Sequence, residues 1–216
     1  MHPPFFSLII PYRNRPLRTV QRCLQSIGQQ CFDNFEVLLV DYGSEPSYGD
    51  AIRQKASKFP FMRYIYTETR GFFWSRGAAL NLGLTQAKGE VVIAVDVDLI
   101  FTPDFLEAIY LQYEKDHFLI YPALNMPEMA EEELDMVDVP SLPILSQLKQ
   151  NHYQDPSYLG CIVVGRDKLL KVNGYDEFYR LWGREDVDLA RRLEQQLALK
   201  KKVLSVDQAL DRKSVV

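Results

Sequence analysis

The run Val91-Val92-Ile93-Ala94-Val95 stops at Asp96-Val97-Asp98, so an apolar stretch ends in two carboxylates spaced two apart. In a buried strand successive side chains alternate, which brings both aspartates out on one face at the carboxyl end. Two like charges beside an apolar strand are costly to hold unless a cation, or a ligand with donor groups, compensates them. The pattern points to a metal or ligand site. The competing reading is a strand end where two solvated aspartates begin a turn. A second acidic pair, Glu185-Asp186, follows Tyr179-Arg180-Leu181-Trp182-Gly183-Arg184. Leu189, Ala190, Leu193 and Leu197 repeat at helical spacing, which puts Glu185 and Asp186 at or near a first helical turn. The helix dipole alone favours carboxylates there. Aromatic rings and a glycine ahead of two acids also suit a surface on which a sugar ring stacks, with Trp182 as plain core the alternative.

The elements that must carry these groups alternate between short apolar runs and amphipathic stretches in the first half of the chain. Strands are expected near Phe6 to Ile10, Glu36 to Asp41, Met62 to Tyr66 and Glu90 to Val95. Helices are expected near Pro16 to Gln29, Tyr48 to Lys58 and Ser75 to Ala87, each long enough to cross over a parallel sheet. Open sheets of this kind bind ligands at the carboxyl ends of their strands, and here those ends carry Pro11-Tyr12-Arg13-Asn14, Asp41-Tyr42-Gly43-Ser44 and Asp96-Val97-Asp98. Further on, a helix from Pro103 to Glu114 and strands near Phe118 to Pro122 and Tyr158 to Val164 are expected. A helix from Arg166 to Val172 and a turn at Asn173-Gly174 follow. Between them, residues 124–155 hold an acidic patch, Glu128 to Asp138, followed by Pro140 and Pro143, with only Ile144 to His152 readable as a helix. This reads as a mobile segment or a simple solvated excursion.

Composition bounds what such a site can belong to. The chain has 216 residues, 47% of them hydrophobic, so one domain is expected. A formal charge of -4 excludes a global basic field and argues against nucleic acid or an anionic membrane as the main partner. Cys23, Cys31 and Cys161 are odd in number and have no C-x-x-C spacing, which argues against a disulfide framework or structural zinc. The N-terminal residues lack a basic leader and no apolar run reaches membrane-spanning length, so a cytoplasmic location is expected.

Taken in order, three motifs resemble the nucleotide-sugar glycosyltransferases of the GT-A fold, in the family 2-like group of inverting enzymes. Ser7-Leu8-Ile9-Ile10-Pro11-Tyr12-Arg13-Asn14-Arg15 and Glu36 to Ser44 are similar to that family's opening. Arg76-Gly77-Ala78-Ala79-Leu80-Asn81-Leu82-Gly83 resembles the segment ahead of its D-x-D strand. The stretch from Gly160 to Leu193 is similar to a galactosyltransferase-type module, also seen in chondroitin-polymerase-like enzymes, whose W-G-x-E-D element is answered by Trp182, Gly183, Glu185 and Asp186.

The resemblance implies a single Rossmann-like α/β domain over residues 1–216 with a mostly parallel central sheet: a nucleotide-binding half, 1–99, and an acceptor and catalytic half, 100–216. It implies transfer of galactose, N-acetylgalactosamine or glucuronic acid from a UDP-sugar donor to a saccharide or glycolipid acceptor. Peripheral association with a membrane would come through a partner. Pro11, Tyr12, Arg13, Asp41, Arg76, Asp96 and Asp98 are the implied donor-binding residues, with Asp41 near the base and Asp98 on a divalent metal, Mn²⁺ or Mg²⁺. Asp186 is the implied general base, Glu185 holds acceptor hydroxyls, and Trp182 and Gly183 line the acceptor side.

The chain also departs from the pattern. Tyr42 replaces a second acid after Asp41, Arg184 stands where galactosyltransferase relatives often have glycine, and no histidine follows the catalytic helix, so Asp207 or water would take that ligand's place. Two other readings are a non-catalytic nucleotide-sugar-binding scaffold and a nucleotidyltransferase. Asp98, Glu185 and Asp186 disfavour the first, and the absence of glycines after the first strand disfavours the second and a dinucleotide oxidoreductase alike.

Overall fold

In the computed structural model, residues 3–121, 161–181 and 183–203 are described. Four strands of the first half, β1 (Phe6–Tyr12), β2 (Phe35–Tyr42), β3 (Met62–Thr67) and β4 (Val91–Ala94), lie parallel. They are followed in space by β6 (Cys161–Gly165), β5 (His117–Tyr121) and β7 (Lys200–Val203), giving one seven-stranded sheet of order β3-β2-β1-β4-β6-β5-β7. Only β6 runs antiparallel to its neighbours, so the sheet is mostly parallel, as expected.

Six α-helices and one turn of 3₁₀ helix, Ala56–Lys58, connect these strands among the described residues. The helices are α1 (Leu17–Gly28), α2 (Pro46–Lys55), α3 (Arg76–Gln86), α4 (Phe105–Gln112), α5 (Arg166–Lys171) and α6 (Glu185–Leu197). Strand side chains alternate between two cores. Leu8, Ile10, Val37, Leu39 and Ile93 face α1, α2 and α4, whereas Ile9, Leu38, Val40, Val92 and Ala94 face α3, α5 and α6. Glycine lets α3 approach the sheet closely: a Cβ at Gly83 would lie 2.3 Å from Ile9 Cγ2. Ser75 starts this helix by accepting a hydrogen bond from the Ala78 N–H at 3.2 Å.

The expected elements of the first half are all present, with ends shifted by at most three residues. Edge strand β7 was not foreseen, because Lys200, Lys201 and Lys202 show no apolar alternation; charged side chains are what an edge strand tolerates. The expectations for residues 124–155, the helix at Ile144 to His152, Trp182 and Asp207 lie outside the described residues.

Candidate active site

The carboxyl ends of β1, β2 and β3 stand in register, with Tyr12 opposite Asp41 and Asp41 opposite Tyr66. Beyond them β4 ends at Ala94, and the chain turns, with the Leu99 N–H donating to the Asp96 carbonyl at 3.3 Å. That turn parts the two aspartates, so they are not presented as one pair on a strand face. Arg76 Nε donates to Asp96 Oδ1 at 2.8 Å, while Asp98 reaches Arg15 at 3.7 Å with its side chain 51% exposed. The Asp98 carboxylate is therefore the open one.

Arg76 sits at the first turn of α3 and joins the two halves of the chain. Besides Asp96 it meets Glu185 Oε1 at 3.5 Å, at the start of α6. Burial alone would lower the Arg76 pKa, but the charges of Asp96, Tyr175 and Glu185 outweigh it and the pKa is raised. The guanidinium stays ionised. Glu185 is buried, and this pairing is what makes a carboxylate tolerable there. Asp186, the next residue, is half-buried, and its Oδ1 accepts the Val187 N–H at 2.8 Å. Glu185 is thus committed within the protein, and Asp186 is the less committed member of the pair.

The loop ahead of α6 is strapped in place from two helices. Asn81 of α3 donates to the Tyr175 carbonyl at 2.8 Å and to Glu177 at 2.9 Å, and accepts the Tyr175 N–H at 2.8 Å. Arg192 of α6 pairs with Asp188 at 2.7 Å and donates to the carbonyls of Val172 and Gly174 at 2.6 and 2.7 Å. Ser75 Oγ donates to the Tyr179 carbonyl at 3.2 Å, and the Leu181 N–H to the Trp74 carbonyl at 2.8 Å. At Gly183 a Cβ would lie 2.7 Å from Tyr179 Cβ and 3.1 Å from Glu185 Oε2, so this glycine is required by close packing. Asn81, Arg192 and Ser75 were given no role on sequence grounds. Amide and guanidinium groups facing backbone carbonyls across 94 or 20 positions leave no periodic trace.

Asp41 differs from expectation. It is fully buried, with Oδ1 accepting the Ser44 N–H at 2.7 Å and Oδ2 accepting the Tyr64 hydroxyl. Both oxygens serve the turn and its neighbour strand, so the residue does not present itself to a base. The reason is parity: Asp41 lies on the face of β2 shared by Leu39, while Tyr42 lies on the other. Burial and the nearby Asp41 charge push the Tyr12 pKa up to about 12, and burial with the Asp41 bond raises that of Tyr64. Both hydroxyls remain protonated at neutral pH. Tyr42 instead meets Trp74 edge to face at 5.9 Å, forming an aromatic wall beside the strand ends. Pro11 is buried in β1, and Arg13 donates to the Phe72 carbonyl at 2.9 Å, closing the loop over the same end.

Comparison with known proteins decides the family. Residues 7–172 match Glycosyl transferase family 2. The chain belongs to that family. Residues 143–207 also match the N-terminal domain of galactosyltransferase. Over 111 residues the family 2 chain is 32% identical to Glycosyltransferase GlyG of Streptococcus pneumoniae, covering 51% of this chain and 36% of that protein. A Haemophilus influenzae glycosyltransferase is 28% identical over 198 residues, covering 88% of this chain and 62% of that protein. The chain thus spans less than two thirds of the length of these relatives. Its fold is that of GT-A glycosyltransferases. GalNAc-T7 with UDP, GalNAc and Mn²⁺ superposes with a TM-score of 0.68 at 14% identity, over 94% of this chain and 42% of that one. Mannosyltransferase PcManGT of Pyrobaculum calidifontis, with GDP-Man and Mn²⁺, gives 0.65 at 19%, over 94% and 55%.

Among the described residues the group whose ligand atoms could meet on one ion is Glu114, Asp116 and His117. It lies at the amino end of β5, away from the carboxyl end of β4, and its groups are already joined to Lys200 and Lys202. Asp98 is different: an exposed carboxylate with one long ion pair fits a hard cation that keeps waters and takes few protein ligands.

Proposed function

We propose that this family 2 chain is an inverting glycosyltransferase, moving galactose, N-acetylgalactosamine or glucuronic acid from a UDP-sugar to a hydroxyl of a saccharide or glycolipid acceptor. The observation that carries the reading is the junction at Arg76. One guanidinium binds a carboxylate from each acidic pair, Asp96 and Glu185, while Asp98 reaches Arg15 and Asp186 accepts the Val187 N–H.

In this reading the acceptor hydroxyl attacks the anomeric carbon opposite the diphosphate. The new C–O bond forms as the bond to the phosphate oxygen breaks, UDP leaves with that electron pair, and Asp186 takes the acceptor proton. Arg76, held charged by Asp96 and Glu185, keeps Glu185 in place beside the base and offers positive potential toward the phosphates. Asp98 would hold a divalent cation, which when bound neutralises charge on the diphosphate. The Tyr42–Trp74 wall offers the base a stacking face in place of the Asp41 hydrogen bond, and Trp182 and Gly183 remain the proposed acceptor side.

The test is a panel of UDP-sugars with Mn²⁺, scoring UDP release, with EDTA and Asp186→Asn as controls. Metal-dependent release lost in the variant supports the reading. Tight UDP binding without turnover toward any acceptor would replace it with a nucleotide-sugar-binding module.

A further inference from the structure

The acids gathered around Arg76 lie at the carboxyl ends of the parallel strands, where open sheets bind their ligands. A cavity of about 600 Å³ lies at the opposite, amino ends, within the size range of small-molecule sites. The seven residues of β1 hold the two ends about 20 Å apart. Pro3 to Phe5 ahead of β1 and Lys88 to Glu90 ahead of β4 form one side of the cavity, and Tyr113 and the start of α5 form another. Main-chain bonds fix these segments together, with the Val91 N–H donating to the Phe5 carbonyl and the Arg166 N–H to the Glu90 carbonyl, both at 2.9 Å.

The charges that line this cavity are unevenly paired. Glu90 is met by Lys115 at 3.2 Å, and Asp167 by Lys168 at 3.0 Å and Lys171 at 3.8 Å. Lys88 and Arg166 form no ion pair among the described residues, so two cations are left over. Arg166 is the sharper case, because its Nε is buried without a hydrogen-bond partner. Arg63 and Arg192 also bury one such nitrogen, but their other nitrogens bond the Gln86 carbonyl and Asp188, each at 2.7 Å. The Arg166 side chain has no such bond among the described residues. A guanidinium sunk in a wall without a carboxylate is poorly hydrated and uncompensated, a cost that an anion in the cavity would offset.

Tyr113 adds a donor. Gly165 makes room for it, since a Cβ there would lie 2.9 Å from both the Tyr113 hydroxyl oxygen and Asp167 Oδ1. Burial, then the Asp167 and Glu90 charges, push the Tyr113 pKa up to about 12, so the hydroxyl keeps its proton at neutral pH. Two unspent cations and a hydroxyl match a phosphate group, which brings up to two negative charges and three acceptor oxygens, better than a carboxylate with one charge and two. Pro4 and Phe5 supply an apolar wall for the remainder of such a ligand.

We infer that this cavity binds a soluble organic phosphate, its phosphate on Arg166 and Lys88 with Tyr113 donating, and its apolar portion against Pro4 and Phe5. The site is separate from that of the proposed transfer and stands whether or not a UDP-sugar is turned over.

Phenyl phosphate is the probe, titrated by calorimetry into the full chain with EDTA present so that no cation at Asp98 contributes. The expected result is saturable binding, with phenol and benzoate weaker by about tenfold or more. Arg166→Met should weaken it by about tenfold or more and Lys88→Ala by about threefold. Neither side chain is bonded within the protein among the described residues, so thermal midpoints should match the parent. Arg15→Met, at the opposite end of the sheet, should leave the affinity unchanged. No binding by the parent, benzoate equal to phenyl phosphate, or unchanged affinity in both Arg166→Met and Lys88→Ala overturns the proposal. A loss confined to Arg15→Met overturns it as well, because the probe would then sit beside Asp98. Cosedimentation with phosphatidic acid vesicles that fails in Arg166→Met, without binding of phenyl phosphate, replaces the soluble ligand with a lipid headgroup.

Discussion

The acidic pairs Asp96/Asp98 and Glu185/Asp186 come from opposite halves of the chain, one behind a parallel strand and one at a helix start, yet they are divided in the same way. In each, one carboxylate is bound to Arg76, at 2.8 Å for Asp96 and 3.5 Å for Glu185, and the other is left with weaker partners. They differ in surroundings. The strand-end pair is the more open, with Asp98 half exposed, while Glu185 is among the few buried charges. An open carboxylate suits an incoming cation and its waters, and a shielded pair suits proton transfer, where water must be kept out. The lesson is that the two members of each pair differ in how far the guanidinium ties them down.

Substituting the four acids and the arginine separately would show whether this division holds. Asp186→Asn should lower transfer by about 10²–10⁴-fold with UDP binding intact, measured by turnover beside calorimetry; full activity would move the base elsewhere. Asp98→Asn should lower turnover by about 10²-fold and raise the Mn²⁺ needed for half-maximal rate, whereas Asp96→Asn should change that metal requirement little. Arg76→Met strands two carboxylates that are at most one third exposed, and chemical denaturation should show a loss of about 2–3 kcal/mol. Asn81→Ala should cost about 1–2 kcal/mol and raise the acceptor KM more than it lowers kcat, since it frees the loop at Tyr175 but touches neither acid pair. The smallest effect belongs to Glu68, which Arg70 and then Tyr66 hold at about 2 against an ordinary 4.5. Its folded pKa is depressed, so its contribution is present above 4.5 and fades as pH falls through about 2; solvent screens this fully exposed pair, so Glu68→Gln should lower the neutral-pH midpoint only slightly.

Much of the first half was legible because its signals are local. Apolar runs of period two bounded by polar strand ends, and the helical stretch near Ser75 to Ala87, do not depend on distant contacts. The start of α6 at Glu185 was readable for the same reason. Asp41 shows a signal that was present and not used. Counting alternation from Val37 and Leu39 puts it on the α1–α2 face, where it builds a turn, and Tyr42 on the face toward α3.

The amino-acid sequence by itself determined the α/β order, the polar strand ends, the two acidic pairs and the family they belong to, since each rests on neighbours a few residues apart. Only the tertiary structure decided that Arg76 takes Asp96 and Glu185 and passes over Asp98 and Asp186. It also decided that Asn81 and Arg192 hold the loop between, and that Trp74 and Ser75 bond the backbone of Leu181 and Tyr179. Those outcomes depend on side chains some twenty to a hundred positions apart meeting at distances of a few ångströms. They are settled by how α3 and α6 pack against the sheet, which no spacing in the chain encodes.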